Sequence, residues 1–205
     1  MRNQILKSFD SNESKVEQLS LFTPQLVDTA VKIIEKRLDF IKKLQNIAKN
    51  IHKTITIDEN LDIFYSYNKK EDVSIKQDLL NQFNQSIQKE LELGYTTIGP
   101  HRDDIIFKIN DLDCKHYASQ GQQRTVALSL KLAETEMFYN RFNEYPILIL
   151  DDVLSELDKK RQRKLISSVE HMQTVFTATG LDRTVFKDKK YQKITVENGK
   201  IKGKK

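Results

Sequence analysis

Two adjacent carboxylates, Asp151 and Asp152, directly follow an apolar run at 147–150 in the segment PILILDDVLSELD. Such a run predicts a strand buried on both faces. Acidic side chains at its end are costly unless they have a task there. At the carboxyl edge of a parallel sheet, one acid can hold Mg²⁺ bound to phosphates, and the next can position or deprotonate a water molecule. The alternative is an acid that merely caps the next helix.

A second segment, ASQGQQRT at 118–125, precedes a stretch with helical periodicity. Ser119 is well placed to cap this helix, and Gly121 lets the backbone approach a ligand closely. The N–H groups at a helix start form an anion site. An ordinary capped helix needs no ligand, so this segment alone leaves both interpretations open.

Together the two segments resemble the signature motif, the Walker B motif and the D-loop of ABC-type ATPases. The positions that match the signature Ser-Gly-Gly-Gln are Ser119, Gln120, Gly121 and Gln122. The resemblance implies that these residues contact ATP bound by a partner subunit.

The same resemblance assigns roles to the acidic segment. Asp151 takes the Walker B magnesium position. Asp152 takes the position of the catalytic base, where many relatives have Glu. Residues 155–158 match the D-loop, and Asp158 is accordingly expected at the nucleotide. Many ABC ATPases carry a switch histidine after the next strand, where this chain has Thr177 and Thr179 instead.

Three longer segments resemble the RecF family of bacterial DNA replication and repair proteins: GPHRDDIIFKIN, ASQGQQRTVALSLKLAE and ILILDDVLSELD. The segments RNQILKSF and EKRLDFIKKL resemble that family's arm domain. The resemblance implies an α/β fold, with a mainly helical arm domain of long helices and short strands at 1–94. Residues 95–205 would form the C-terminal part of an ABC-type ATPase head.

Membership of this family implies an ATP- and Mg²⁺-dependent homodimer that acts at gapped DNA, at junctions of single and double strands. It also implies recruitment of RecO and RecR, which help to load RecA, in replication, recombination and the SOS response. ATP would act mainly as a dimer switch that slow hydrolysis resets.

An ATPase of this class needs a phosphate loop, G-x-x-x-x-G-K-[ST]. No glycine precedes Gly94, and the late pairs Gly199-Lys200 and Gly203-Lys204 are not followed by Ser or Thr. We therefore expect the chain to be the C-terminal part of a longer protein. ATP and Mg²⁺ are expected only with the missing region, and the chain alone should not be an active ATPase.

The remaining patterns predict the elements that position these motifs. Thr23-Pro24 is expected to open a long arm helix, because apolar residues recur with helical spacing from Val27 to Ile51. The other predicted elements are strands at 54–57 and 61–67, a helix capped by Asp72 and ended by Gly94, a hairpin through Asn110-Asp111, helices at 121–142 and 159–170, a strand at 174–179 and a final hairpin at 193–201.

Charge and composition limit the possible functions. The net charge of +5 lies entirely in residues 95–205, with 20 basic against 15 acidic residues, whereas residues 1–94 hold 14 of each. This excess suggests a polyanion such as nucleic acid, or simply solubility. A single cysteine, no signal peptide and no long apolar run indicate a cytoplasmic protein without a membrane span. Rival hypotheses are a two-metal nuclease using Asp151 and Asp152, and a protein-interaction module.

Overall fold

The computed structural model describes residues 1–56, 58–67, 72–180, 183–187 and 189–204. The chain forms two compact units, and the predicted α/β class is confirmed. The first unit contains Met1–Asn46 and Asp62–Asp113, and the second contains Ile47–Leu61 and Cys114–Lys205. These units divide the chain differently from the predicted boundary at Gly94, and the assignment of domains stays a prediction.

The first unit is built from helices and a small sheet. Its elements are α1 (Arg2–Lys7), most of α2 (Asn12–Ile55), β1 (Leu61–Tyr65), α3 (Ile75–Leu93), β2 (Ile105–Ile109) and β3 (Leu112–Asp113), and the three strands pair in the order β1-β2-β3. Asn110 and Asp111 have φ values of 48° and 67° between β2 and β3, which confirms the predicted turn. The main core cluster is Val27, Ala30, Ile34, Leu79 and Phe83.

Helix α2 begins at Asn12, so the prediction that Pro24 starts it is wrong. Proline inside a helix removes one hydrogen bond and costs about 3 kcal/mol. Two observations account for the continuous helix. The Thr23 hydroxyl donates to the Leu19 carbonyl over 2.7 Å, and Leu19 is fully buried with Ile5 and Leu6. Burial of Leu19 and Thr23 in the helical turn before Pro24 offsets the lost hydrogen bond.

Helix α3 is capped by Ser74, so the prediction of Asp72 as its cap is wrong. The Ser74 hydroxyl accepts from the Gln77 N–H over 3.1 Å. The other end agrees with the sequence, because Gly94 follows the last helical residue with a φ of 72°. Its N–H donates to the Glu90 carbonyl over 2.9 Å, in the left-handed conformation that glycine adopts without strain.

The GPHRDD segment forms a turn that is tied to the first unit. The Tyr65 hydroxyl donates to Asp103 Oδ2 over 2.5 Å, and Arg37 donates to the Pro100 carbonyl over 2.5 Å. Gly99 has a φ of 124°, a conformation that L side chains rarely adopt. Asp103 and the turn therefore serve the packing of this unit.

The second unit contains the end of α2, then α4 (Cys114–Tyr117), α5 (Gln120–Phe142), β4 (Leu148–Asp151), a 3₁₀ turn (Val153–Glu156), α6 (Lys159–Ser168), β5 (Thr174–Thr177), a second 3₁₀ turn (Arg183–Phe186), β6 (Ile194–Glu197) and β7 (Lys200–Lys204). Strands β4 and β5 pair in parallel, and β6 and β7 form the predicted hairpin. Among the core residues are Ile55, Leu128, Leu132, Leu148, Leu150, Leu154 and Leu165.

Two expectations for this unit are wrong. Residues 54 and 55 belong to α2 rather than to a strand, because the additional turn buries Ile55 completely in the core; residue 57 lies outside the described part. Strand β4 is also buried on one face only. Leu148 and Leu150 are buried, whereas Ile147 and Ile149 are 62% and 67% exposed. No helix in the described part of the chain has the length and apolarity needed to cross a membrane.

The end of α3 gives a test of the fold. Replacing Gly94 with Ala should lower the free energy of unfolding by about 1–2 kcal/mol, because a Cβ is strained at this positive φ. Gly121→Ala is a matched control, since a Cβ there meets nothing within 4 Å. Urea unfolding followed by circular dichroism measures both variants. A urea midpoint of Gly94→Ala equal to that of the wild type would contradict the expected strain at Gly94.

Candidate functional site

Asp151 ends strand β4 beside strand β5, and Asp152 follows it, at the edge that the parallel arrangement predicts. The register places Asp151 opposite Thr177, and the Thr177 hydroxyl donates a hydrogen bond to Asp151 Oδ1. Asp151 and Asp152 are both exposed at this edge. The edge thus presents two carboxylates to a ligand, and one of them is oriented by a hydroxyl.

Asp152 has a left-handed backbone conformation, with a φ of 52°. Its N–H lies 3.2 Å from the Thr177 carbonyl and 3.0 Å from the Thr177 hydroxyl, and both accept from it. Aspartate tolerates this conformation better than most residues, and the turn directs the chain into the following 3₁₀ segment. Thr177 therefore contacts both acids. Whether Thr177 or Thr179 takes the place of the switch histidine stays a prediction.

Ser119 caps helix α5 in a complete capping box. Its hydroxyl accepts from the Gln122 N–H over 3.3 Å, and Gln122 Oε1 accepts from the Ser119 N–H over 2.9 Å. Gln120 and Gly121 open the helix, so their N–H groups have no intrahelical acceptor. Ser119 and Gln120 are exposed. The structure thus brings together two N–H groups and a hydroxyl that can bind an anion.

Asp158 caps helix α6. Its Oδ1 accepts from the N–H groups of Lys160 and Arg161 over 2.9 and 3.0 Å. The hydrogen bond from the Arg161 N–H is the main reason why the pKa of Asp158 is lowered, and the bond from Lys160 adds to it. The carboxylate already has a structural task, and its predicted contact with nucleotide stays a prediction.

Helix α5 is linked to the segment after the two acids by an ion pair. Arg124 Nη2 lies 3.0 Å from Glu156 Oε1 in the 3₁₀ turn, and both side chains are substantially exposed. Gln162 of α6 donates to the carbonyls of Leu154 and Leu157 at the same turn. The signature-like and D-loop-like segments are therefore directly connected.

A polar network that the sequence did not reveal lies beneath these segments. His52 Nδ1 is 3.0 Å from the Ser129 hydroxyl, and His52 Nε2 is 3.3 Å from Glu59 Oε2 without the alignment of a hydrogen bond. Glu59 Oε1 accepts from Arg161 Nη2 over 3.2 Å, and Arg161 Nη1 donates to the Thr125 hydroxyl over 3.0 Å. Arg161 is thus largely enclosed, with 25% of its side chain exposed.

One sequence signal could have found part of this network. His52 lies four residues after the fully buried Ala48 and so continues the buried stripe of α2. A polar residue on such a stripe needs a hydrogen-bonding partner. Glu59 carries no comparable signal, because it lies between a helix and a strand where no periodicity applies.

The described side chains of this protein do not by themselves form a metal centre. In the ranges that the structure describes, no group of three or more His, Cys, Asp or Glu residues is placed to hold a metal ion. The carboxylate of Asp151 suits Mg²⁺, which commonly takes one or two protein carboxylates and completes its shell with water and phosphate oxygens. Its role as a metal ligand stays a prediction.

The fold is shared with a known class of ATPases. A solved structure of an SMC ATPase, from work on ATP-driven dimerisation, matches 82% of this chain with a TM-score of 0.51 and 11% identity, which shows a shared fold. With strands, capped helices and acids arranged as described, the chain has part of the fold of an ABC-type ATPase. No protein-family model matches it.

The relatives of higher identity are RecF proteins. The chain is 41% identical over 204 residues to the DNA replication and repair protein RecF of Clostridium botulinum, and 44% identical over 187 residues to that of Alkaliphilus oremlandii. Solved structures of the recombination mediator protein RecF, with ATP and with ATPrS, match 98% of the chain with TM-scores of 0.75 and 0.74 and identities of 31% and 32%. The chain is a RecF homologue.

The chain spans about half the length of the relatives that it matches. It covers 56% of the Clostridium botulinum protein and 50% of the Alkaliphilus oremlandii protein. It also covers 54% of each solved RecF chain.

The buried histidine gives a test of the network by pH. Burial lowers the pKa of His52 below the ordinary value of 6.5, and this effect exceeds the opposing attraction of Glu59. The unfolded chain then binds the proton more readily, so stability is present above pH 6.5 and is lost as the pH falls below it. We expect the midpoint temperature of thermal unfolding to decrease as the pH is lowered from 7.5 to 5.5.

The control is His52→Gln, which keeps a polar side chain but does not titrate. Its midpoint should change less over the same pH range, since the other histidines and the carboxylates are unchanged. Differential scanning calorimetry at matched ionic strength provides the comparison. A wild-type midpoint that rises towards pH 5.5 relative to the variant would show that Glu59 dominates instead.

Proposed function

We propose that this chain is the C-terminal part of a RecF protein and supplies the signature, Walker B and D-loop segments of an ATP-dependent dimer. The observation that carries the proposal is the complete capping box at Ser119, followed by the N–H groups of Gln120 and Gly121, which have no intrahelical acceptor. The 41% identity to RecF over nearly the whole chain supports the same interpretation.

The signature segment would act in trans. The Ser119 hydroxyl and the helix N–H groups would bind the γ-phosphate held by the partner subunit, where the positive end of the helix dipole favours negative charge. A dimer assembled in this way depends on ATP because the phosphate is part of the interface. Loss of that phosphate removes the acceptor of these hydrogen bonds.

Asp151 and Asp152 would act in cis. Asp151 would hold Mg²⁺, with its carboxylate oriented by the Thr177 hydroxyl. Asp152 would orient a water molecule and accept its proton. Mg²⁺, when bound, neutralises charge on the phosphates; the protein contributes the placement of the two carboxylates at the sheet edge.

An open sheet face supports the proposed place of this chain in a longer protein. Ile147 and Ile149 of the β4 segment and Val175 of β5 are 62%, 67% and 46% exposed on the face opposite the core. Apolar residues on neighbouring strands normally pack against another layer. The half of the ATPase head that holds the phosphate loop would provide that layer.

The biological setting follows from the family. We propose that the longer protein binds DNA near gaps in the bacterial cytoplasm, and that it works with RecO and RecR in loading RecA. The excess of basic residues in 95–205 supports a nucleic-acid partner.

The chain by itself should bind Mg-ATP only weakly and should not hydrolyse it. It lacks the phosphate-loop backbone and lysine, and the exposed carboxylates repel a nucleotide. Isothermal titration with Mg-ATP measures the affinity. A low-micromolar dissociation constant would contradict this expectation, and cleavage of DNA with Mg²⁺ but without nucleotide would favour the nuclease alternative.

In a full-length protein that carries this chain, Ser119→Arg should abolish ATP-dependent dimerisation and leave ATP binding by the monomer nearly unchanged. The arginine obstructs the approach of the partner but lies outside the cis pocket. Asp152→Asn should have the opposite effect, with a dimer that persists, because the proposed base is lost and a negative charge near the γ-phosphate is removed.

Light scattering coupled to size-exclusion chromatography, with and without ATP, measures both variants. Gly94→Ala is a suitable control because it lies in the other compact unit and alters no proposed contact with nucleotide. Normal dimerisation of Ser119→Arg would show that ASQGQQRT is only a capped helix.

A further inference from the structure

Both polar atoms of the Gln122 side chain make hydrogen bonds within the chain. Its Oε1 accepts from the Ser119 N–H, and its Nε2 lies 3.3 Å from Glu59 Oε1, to which it donates. The Ser119 hydroxyl accepts from the Gln122 N–H, which leaves the hydroxyl proton available to an anion. Gln122 thus orients Ser119, and the contact of Gln122 with nucleotide that the resemblance implies stays a prediction.

Glu59 receives hydrogen bonds from two separate helices through one oxygen. Its side chain is only 13% exposed, and Oε1 accepts from Gln122 at the start of α5 and from Arg161 in the first turn of α6. Arg161 follows Asp158, which caps α6. A partly buried carboxylate with two donors of this kind fixes both helix starts relative to each other.

We infer that Glu59 is a positioning residue for the signature segment, holding Gln122 so that the capping box presents Ser119 to the phosphate in the partner subunit. Glu59 also connects this segment to the helix after the D-loop through Arg161. The structural part of the inference stands on the contacts of the second unit alone, whereas its consequence for dimerisation rests on the proposed function.

An exchange of the two side chains tests the contact without removing it. Gln122→Glu places two carboxylates together, so repulsion should open the capping box. Adding Glu59→Gln restores a donor and an acceptor between the same two positions. Both positions are at least partly accessible, and the substitutions nearly preserve volume, so the variants are expected to fold.

The first measurement is amide hydrogen exchange by NMR on the 205-residue chain. The backbone amide at position 122 should exchange about fivefold faster in Gln122→Glu than in the wild type. This factor corresponds to the free energy that a typical N-cap contributes. In the double variant the exchange rate should return towards the wild-type value. The Asn143 amide at the other end of α5 should not change. Unchanged exchange at Gln122, or no recovery in the double variant, would overturn the positioning role.

The matched control is Glu136→Ala on the same helix. Glu136 is also a partly buried glutamate with two contacts, from Tyr145 and His171, but it lies far along α5 from the capping box. Its loss should leave exchange at Gln122 unchanged. Acceleration at Gln122 in this variant would show a general loosening of α5 and would also overturn the inference.

The second measurement is ATP-dependent dimerisation of a full-length protein that carries this chain. The dimer dissociation constant should rise about fivefold in Gln122→Glu and recover in the double variant, while ATP binding by the monomer stays constant. Equal dimerisation in all variants would overturn the functional part. If the wild type does not dimerise with ATP, the proposed function fails, and the exchange result still decides whether Glu59 positions Gln122.

Discussion

The carboxylate of Glu59 connects the end of α2, the start of α5 and the start of α6, and the local geometry of the second unit depends on this connection. It accepts from Gln122 and Arg161 and lies beside the fully buried His52. Its Oε1 has two donors, whereas its buried Oε2 has no hydrogen-bond partner in the described part of the chain. The two charge-assisted contacts to Oε1 offset part of the cost of burying the carboxylate. Several polar contacts with defined directions therefore set the relative positions of these helices more narrowly than apolar packing alone would.

The sheet edge is set by a different constraint, the register of β4 and β5. Because Asp151 pairs with Thr177, a single hydroxyl lies close to both the Asp151 carboxylate and the Asp152 N–H. A shift of one residue would move every β4 side chain to the other face, since strand side chains alternate. Leu148 and Leu150 prevent that shift by their burial in the core. Core packing thus places the acids at the edge.

Much of the fold follows from local signals in the sequence. Gly94, the Asn110-Asp111 turn and the Ser119 cap are short-range features in which one or two residue types determine the backbone conformation. The errors come from tertiary packing. Pro24 lies inside α2 because burial of Leu19 stabilises the preceding turn, and Ile55 extends the helix because it is buried in the core. Glu59 could not be predicted, since its partners lie 63 and 102 residues away.

The two proposed halves of the chemistry differ in what holds them in place. The contacts that orient Ser119 come from Gln122, Glu59 and Arg161, all within the second unit. The acids have Thr177 beside them but lie next to a sheet face on which Ile149 remains exposed. The geometry expected to act in trans is therefore complete within this chain. The proposed cis site, in contrast, lies beside a sheet face that a further layer would cover.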